Sequence, residues 1–335
     1  MFSLEQYRAV RDGSGVLDRS PRSRLRLTGL DRREYLQGLL TNDIAALTPG
    51  SGCYAALLTA QGRMISDMYV VETGDAILMD LEPALGDKVF AHLERFIFSE
   101  DVQVSNETAS RSQIGVYGPA AASVVRAVMG DGRSSEADLN AMAALDNRTL
   151  RWRDADVVIV RRDDVGIAGF DLVIDAAQAA ALVEAVRGAG AIEFDNAVAE
   201  TFRVEAGVPR FGQDMDEDTI PLEAGIEDRA ISMTKGCYVG QEVIVRVLHR
   251  GHGRVAKRLV VLRVGDATAG TVPQRGDRIH AADRDIGFVT SAVASTAEGS
   301  ALAMGYVHRD FFEEGTPVAI DRSGVRLSAV VTRPR

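Results

Sequence analysis

Hydrophobic and polar positions follow two periods along this chain, and the switches between them mark out its elements. Arg24 to Thr28 alternates Leu25 and Leu27 with polar residues, the period of a strand with one buried face. Asp31 to Leu40 changes to helical spacing. Asp31 offers an N-cap with Glu34 three residues on, and Leu36, Leu39 and Leu40 give a one-sided apolar face that stops at Thr41-Asn42-Asp43. Period two returns in Tyr54 to Leu58 and Arg63 to Val71, joined by the turn Thr59-Ala60-Gln61-Gly62, and again in Ala76 to Leu81. Pro83 suits the first turn of a helix over Glu82 to Phe98, with Leu85, Val89, Leu93 and Phe96 as its buried stripe. Strands near Val102 and over Ile114 to Tyr117 follow, then a helix over Pro119 to Met129; Gly130 to Asn147 has no strong period and reads as loop.

The organisation then recurs without a residue-level repeat. Val157 to Val160 and Phe170 to Ile174 are strands around the turn-rich Asp163 to Gly169. Asp175 caps an alanine-rich helix ending near Gly188, and Asp195 caps a second running to Glu205, with Gly207 after it. Strand pairs alternating with helices predict α+β layers built from split βαβ units. From Val255 onward only short strands occur: Leu259 to Val264, Ile286 to Val293, Ala301 to Val307, Pro317 to Ile320 and Val325 to Val331. That series predicts a small all-β barrel or sandwich as a separate domain.

Length and charge narrow the class. A chain of 335 residues exceeds one ordinary core and implies two or three domains, and its 46% hydrophobic and 26% charged residues are those of a soluble globular protein. A net charge of −10 argues against broad non-specific nucleic-acid binding. Two cysteines, not spaced as a CxxC pair, cannot build a disulfide framework and favour a reducing compartment. Met1 to Val10 holds Glu5 and Arg8 and no apolar signal-peptide core, and no run approaches the length of a membrane span. The expected location is the cytoplasm, with no membrane partner.

Candidate chemistry gathers at a few places. Period two puts Asp67 on one face with Ile65, Tyr69 and Val71, a carboxylate on an otherwise apolar surface. Three readings stay open: a solvated edge residue, a buried acid satisfied by backbone donors, or a site acid with a raised pKa. Lys235-Gly236-Cys237-Tyr238-Val239-Gly240-Gln241-Glu242 puts a thiol beside an ammonium, where Gly236 is free to take positive φ and a short helix can open from Tyr238. Cys237 is then either a reactive thiolate or a small buried residue in a turn. Arg246 to Arg258 contains Arg246, Arg250, Arg254, Lys257 and Arg258 and no acid, so it is either an anion-binding run or a solvated strand edge. His249 and His252 with Cys237 make only a weak zinc signal, and the two histidines read as solvent-facing. Asp214, Asp216, Glu217 and Asp218 lack the spacing of a calcium loop and read as a solvated loop, so no metal site is expected. Nucleotide-binding glycine motifs and a Gly-x-Ser-x-Gly elbow are missing from the sequence.

Several stretches together resemble the folate-binding superfamily that holds the glycine-cleavage T-protein, an aminomethyltransferase, and the YgfZ-type proteins. They are Tyr35-Leu36-Gln37-Gly38-Leu39-Leu40-Thr41-Asn42-Asp43, Thr59-Ala60-Gln61-Gly62-Arg63, Arg203 to Met215, Pro221-Leu222-Glu223-Ala224-Gly225, and the Cys237 stretch. The last resembles the YgfZ-type signature, whose cysteine T-proteins usually lack. The resemblance implies two ferredoxin-like α/β domains within residues 1–250 and a C-terminal barrel over residues 251–335, arranged around a central folate-sized hole. It implies that Tyr54, Asp67, Asp80 and Asp171 border tetrahydrofolate, Asp67 near the reactive nitrogens and Asp171 at the pterin edge. A carboxylate suits that edge because it accepts adjacent N–H donors together.

The same comparison carries departures. Ser66-Asp67 stands where T-proteins have paired aspartates, Asp80 where they have asparagine, and Asp171 where they have the longer glutamate. Ala197-Val198-Ala199-Glu200 stands where they carry Gly-Ala-Arg-Asp, so a site arginine is replaced by Ala199. The implied function is that of a YgfZ-like, tetrahydrofolate-binding protein supporting assembly or repair of iron–sulfur enzymes, including tRNA-modifying ones. Cys237 would then face the ligand or a partner's cluster, Lys235 would favour its thiolate, and Arg246, Arg250 and Arg254 would attract the folate tail. Two alternatives stand beside it. One is folate-dependent aminomethyl or methyl transfer, with Asp67 orienting or deprotonating an amine. The other is a non-catalytic scaffold that docks partners.

Overall fold

The computed structural model describes residues 2–130, 135–250, 254–265, 271–294 and 300–333. The chain forms two compact units. One comprises Met1–Leu58, Ile65–Val198 and Arg229–Val239, the other Thr59–Met64, Ala199–Asp228 and Gly240–Arg335.

The first unit holds β1 (Gly15–Asp18), β2 (Ser23–Thr28), β3 (Gly52–Leu58), β4 (Met64–Glu72), β5 (Ile77–Leu81), β6 (Gln103–Asn106), β7 (Arg111–Tyr117), β8 (Asn147–Trp152), β9 (Ala155–Arg162), β10 (Gly169–Asp175) and β11 (Ile192–Glu193). They form two sheets, ordered β3-β4-β5-β2-β6 and β11-β1-β7-β10-β9-β8. Helices cover one face of each. In the first sheet Leu25, Leu27, Met68, Val70 and Met79 pack with Leu36, Leu40, Val89 and Leu93 of the helical layer. In the second, Val116, Ile159, Phe170 and Leu172 pack under Val125 and Leu182. Each sheet turns a second face inward, and side chains from both meet there: Arg162 of β9 pairs with Asp80 of β5 at 3.0 Å.

Several helix boundaries differ from the periodicity, each for a local reason. After Pro83, Ala84 sits at φ +67°, a left-handed conformation that no α-helix contains, so the helix spans only Gly86–Glu94. Phe96 and Phe98 lie beyond it, and Phe98 is 83% exposed, so Phe96 does not belong to a buried stripe. The helix after Asp31 is Arg32–Gln37; the Asp31 carboxylate accepts from the Asp101 amide at 2.8 Å instead of capping. Asp175 likewise makes no cap, because a 3-10 turn at Ala176–Gln178 precedes the helix Ala179–Gly188. Asp195 does cap, accepting from the amides of Ala197 and Val198 at 3.0 Å each. The stretch read as loop contains a five-residue helix, Glu136–Asn140, opened by a Ser135–Asp138 capping box and too short to show a period.

The second unit contains a closed six-stranded barrel of β12 (Lys257–Val264), β13 (Arg278–Ala281), β14 (Arg284–Ala294), β15 (Ala301–His308), β16 (Pro317–Arg322) and β17 (Val325–Thr332). Pairing of β12 with β17, Val261 opposite Thr332, closes the ring and leaves no edge. Strand β13 escapes sequence reading because Ile279 is its one fully buried apolar side chain. The barrel is also where the acidic loop docks. Asp214 is buried and accepts from Thr290 at 2.6 Å, Ser291 at 2.7 Å and Arg203 at 2.7 Å. It is therefore a structural acid and not part of a solvated cluster; Asp218, beside it in sequence, is exposed and pairs with Arg63 at 3.0 Å. The architecture is two α/β layers of sheet and helix followed by a β-barrel, as the patterning implied. Among the described residues no helix is long and apolar enough to cross a membrane, and no group of three or more His, Cys, Asp or Glu is placed to hold a metal.

Candidate functional site

Strand β4 is buried on both faces, which its Met-Ile-Ser-Asp-Met-Tyr-Val-Val sequence achieves by giving each face a different chemistry. Met68 and Val70 enter the helix-covered core. Asp67 and Tyr69 face the other way, so the carboxylate lies among aromatic and charged groups and not on an apolar surface. Tyr54 of β3 donates its hydroxyl to Asp67 Oδ2 at 2.6 Å, and its ring lies 5.0 Å from that of Tyr69. The guanidinium of Arg229 sits 5.3 Å from the Tyr54 ring. Burial pushes the Asp67 carboxyl up to about 6; the Tyr54 hydrogen bond opposes the rise and Glu82 adds to it. Tyr54 itself is held far above the ordinary tyrosine range, by burial first and by Asp67 second, so it stays a donor.

Beside Tyr69 the face becomes a network of ion pairs. Arg162 stacks over the Tyr69 ring at 3.7 Å and reaches Asp80 at 3.0 Å, Asp164 at 2.8 Å and Asp171 at 3.4 Å. Arg22 binds Asp80 at 2.5 Å and also Glu82. Arg19 pairs with Asp164 at 2.7 Å and with Asp171 at 3.3 Å. Asp171 is also bonded on both oxygens: Tyr117 donates to Oδ1 at 2.5 Å and Gln113 to Oδ2 at 2.7 Å. Burial works against the charge on Asp80, but Arg22 and Arg162 outweigh it and hold that carboxyl below its usual range. Tyr54, Asp67, Asp80 and Asp171 thus share one inward face, linked through Tyr69, Arg22 and Arg162.

These links were missed in the sequence. Tyr69 was within reach, since period two sets it beside Asp67. Arg162 is the last residue of β9, just beyond the apolar run Val157 to Val160 that marks the strand. Arg19 and Asp164 are 145 residues apart, and nothing local joins them.

The Cys237 stretch is built differently from its sequence reading. Lys235 is half-buried, and its ammonium donates to the carbonyls of Gln37 and Leu40 at 2.6 Å and Asn42 at 2.8 Å. These carbonyls belong to the end of the Arg32–Gln37 helix and the residues after it, a natural seat for a cation. All three donors of Lys235 are committed there, so it anchors the segment and is not the counter-ion of Cys237. Tyr238 is buried, and the Val239 amide donates to Gly38 O at 3.3 Å, while Cys237 between these anchors is exposed. Gly236 is not in the left-handed region; Gly240 is, at φ +86°, and the helix opens only at Gln241. Cys237 is therefore not at a helix N-terminus. The second cysteine, Cys53, is pushed up to about 12 by burial and is inert as a nucleophile. In the second unit Arg246 and Arg254 are exposed, and the side chain of Arg250 lies outside the described residues, as does His252.

Known proteins can now be set against this geometry. The GCVT N-terminal domain model matches residues 2–235, and the glycine cleavage T-protein C-terminal barrel domain model matches residues 257–335. The chain belongs to the glycine cleavage T-protein family. Curated relatives of this T-protein family member carry the name aminomethyltransferase. That of Geobacillus kaustophilus is 28% identical over 97% of this chain and 87% of its own length; that of Bacillus subtilis is 26% identical over 98% and 90%. The crystal structure of glycine cleavage system aminomethyltransferase T from Bartonella henselae superposes with a TM-score of 0.86 at 23% identity, covering 98% of this chain and 88% of that one. That likeness shows the fold. In this family member Tyr54 bonds the Asp67 carboxylate, and arginines pair with Asp80 and Asp171.

Proposed function

We propose that this protein binds tetrahydrofolate against the Tyr54–Asp67–Tyr69 face and supports transfer of an aminomethyl-type one-carbon unit. The observation that carries the reading is Asp67, a buried carboxyl raised to about 6 and oriented by Tyr54. At neutral pH such a group is mostly ionised yet takes a proton readily, the balance that general acid–base work needs. Tyr54 occupies one oxygen, and the other has no side-chain donor, so it can accept from a ligand amine. The Tyr54 and Tyr69 rings, 5.0 Å apart and tilted 34° to each other, supply aromatic surface beside Asp67 for a fused ring. At the other end, a ligand N–H edge reaching Asp171 has to share that carboxylate with Tyr117 and Gln113. Bound folate would supply the nitrogens that carry the one-carbon unit; the chain's part is to position the amine and hold or move its proton at Asp67.

Two measurements test this. Isothermal titration of the purified protein with tetrahydrofolate is expected to give a saturable heat, and a flat titration would end the proposal. With an aminomethyl or methylated-amine donor, folate-dependent turnover is expected to fall at least about a hundredfold in Asp67→Asn, a loss typical of removing an acid–base group.

A second reading, YgfZ-like support of iron–sulfur enzymes, is favoured by one feature. Cys237 is exposed in a segment clamped by Lys235 and Tyr238 on either side, which is how a thiol meant to meet a partner would be presented. It predicts that a strain lacking the native protein recovers its iron–sulfur enzyme activity with wild type and not with Cys237→Ala. Equal rescue would remove Cys237 from the function and end this second reading.

A further inference from the structure

Between the two sheets of the first unit lies a cavity of about 30 Å³, lined by Arg24, Arg162 and Gln113, by the carboxylates of Asp80, Glu107 and Asp171, and otherwise by mainly apolar side chains. Its volume suits roughly two waters, or one planar group of three heavy atoms. The polar wall is unusual in what it leaves unpaired. Arg24 Nε and Nη1, Arg162 Nη2 and Gln113 Oε1 are all buried with no hydrogen-bond partner among the described residues. Arg24 is 6% exposed, Arg162 2% and Gln113 1%, so solvent does not reach them freely.

Arg24 stands apart from the other arginines of this region. Arg19, Arg22 and Arg162 each pair with carboxylates. Arg24 has no ion pair among the described residues; only its Nη2 is used, on the carbonyls of Ser20 at 2.9 Å and Thr108 at 2.8 Å. The nearby acids are committed elsewhere. Asp80, directly opposite Arg24 across β2 and β5, is held by Arg22 and Arg162, and Glu107 faces Arg26 and Arg111. Asp80 attracts Arg24 from a distance, but a buried guanidinium without a direct carboxylate contact is costly, and water alone satisfies its N–H groups without neutralising it. Burial also pulls Arg24 below the ordinary arginine value, while Arg22 is raised by its acids.

We infer that this cavity is a binding site for one small planar oxoanion of formate size, held by Arg24 and Arg162. The unpaired atoms on these lining residues are mainly donors, so the ligand must bring acceptors, and its negative charge supplies the direct ion-pair partner that Arg24 lacks. The inference does not rest on the folate reading, although Asp80 and Asp171 wall both places.

The test is a thermal titration of the full-length protein with sodium formate and sodium nitrite at constant ionic strength, with chloride as the balancing salt. Formate and nitrite, both bent three-atom oxoanions, are expected to raise the melting temperature in proportion to the logarithm of their concentration above the dissociation constant, by roughly 3 °C at a hundredfold excess over it. Arg24→Gln is expected to lose that rise while its tetrahydrofolate titration keeps its midpoint within twofold. No rise beyond that of the chloride control in wild type, or an equal rise in Arg24→Gln, would overturn the inference. Should Arg24→Gln fail to fold, the wild type decides through a formate-soaked crystal. Planar three-atom density beside Arg24 supports the site, and water density alone overturns it. A folate titration that stays flat while formate still binds would sink only the earlier proposal.

Discussion

Ionised Asp67 works against the fold that holds it. Its carboxyl has moved from 3.8 to about 6, so the folded state binds its proton more tightly than the unfolded chain does. The contribution of this group is therefore fully favourable below about pH 4 and is lost as pH rises through about 6. A shift of about two units corresponds to roughly 3 kcal/mol at neutral pH. Asp67→Asn should accordingly raise the melting temperature at pH 7.5 by several degrees, with the gain fading towards pH 4, while it abolishes turnover. Opposite signs for stability and activity are the mark of a functional group, because a structural acid would lose both together. Tyr54→Phe removes the hydrogen bond that restrains the shift, so the pH at half-maximal activity should move upward by about one unit. That pH profile is the measurement to make. Asp67 was visible in the sequence because strand alternation exposes a misplaced acid; Arg22 and Tyr117 were not, because the carboxylates they bind lie 54 or more residues away and leave no local trace.

At the scale of elements, legibility followed the strength of the period. Strands β2 to β5 and β14 to β17 were found because alternation or β-branched runs announce them; β13 and the Glu136–Asn140 helix were not, being too short to repeat. The Glu82–Phe98 helix was overextended because apolar spacing was read through Pro83-Ala84, where the backbone turns left-handed. Close strand contacts are also invisible in sequence. In β14 a Cβ on Gly287 would lie 1.8 Å from the carbonyl oxygen of Tyr306 in β15, so only glycine allows the two strands to pair at that point. Gly287→Ala should cost about 2–4 kcal/mol in urea unfolding followed by barrel tyrosine fluorescence, whereas first-unit probes should shift far less.

The whole molecule interleaves its chain. Thr59–Met64 and Arg229–Val239 leave the unit of their sequence neighbours and join the other. No change of composition marks these crossings, so the sequence showed three layers but not how the strand of chain is shared among them. The returning segment matters to the first unit. The Thr41 hydroxyl donates to Ala230 O at 2.6 Å, Asn42 donates to Arg229 O at 3.0 Å, and Lys235 closes the end of the Arg32–Gln37 helix. A chain stopped after Val198 should therefore keep strand and helix signals in far-ultraviolet circular dichroism but lose sharp amide resonances around Leu36 to Asn42. A fully dispersed spectrum there would show that the segment is dispensable.

The returning strip also sets a schedule for synthesis. The Arg32–Gln37 helix leaves the ribosome some two hundred residues before Lys235 follows, so the carbonyls of Gln37, Leu40 and Asn42 wait in the nascent chain without their cation. Maturation of this half is thus gated by translation of the stretch that bears the exposed thiol, and a ribosome stalled short of it holds a client for chaperones.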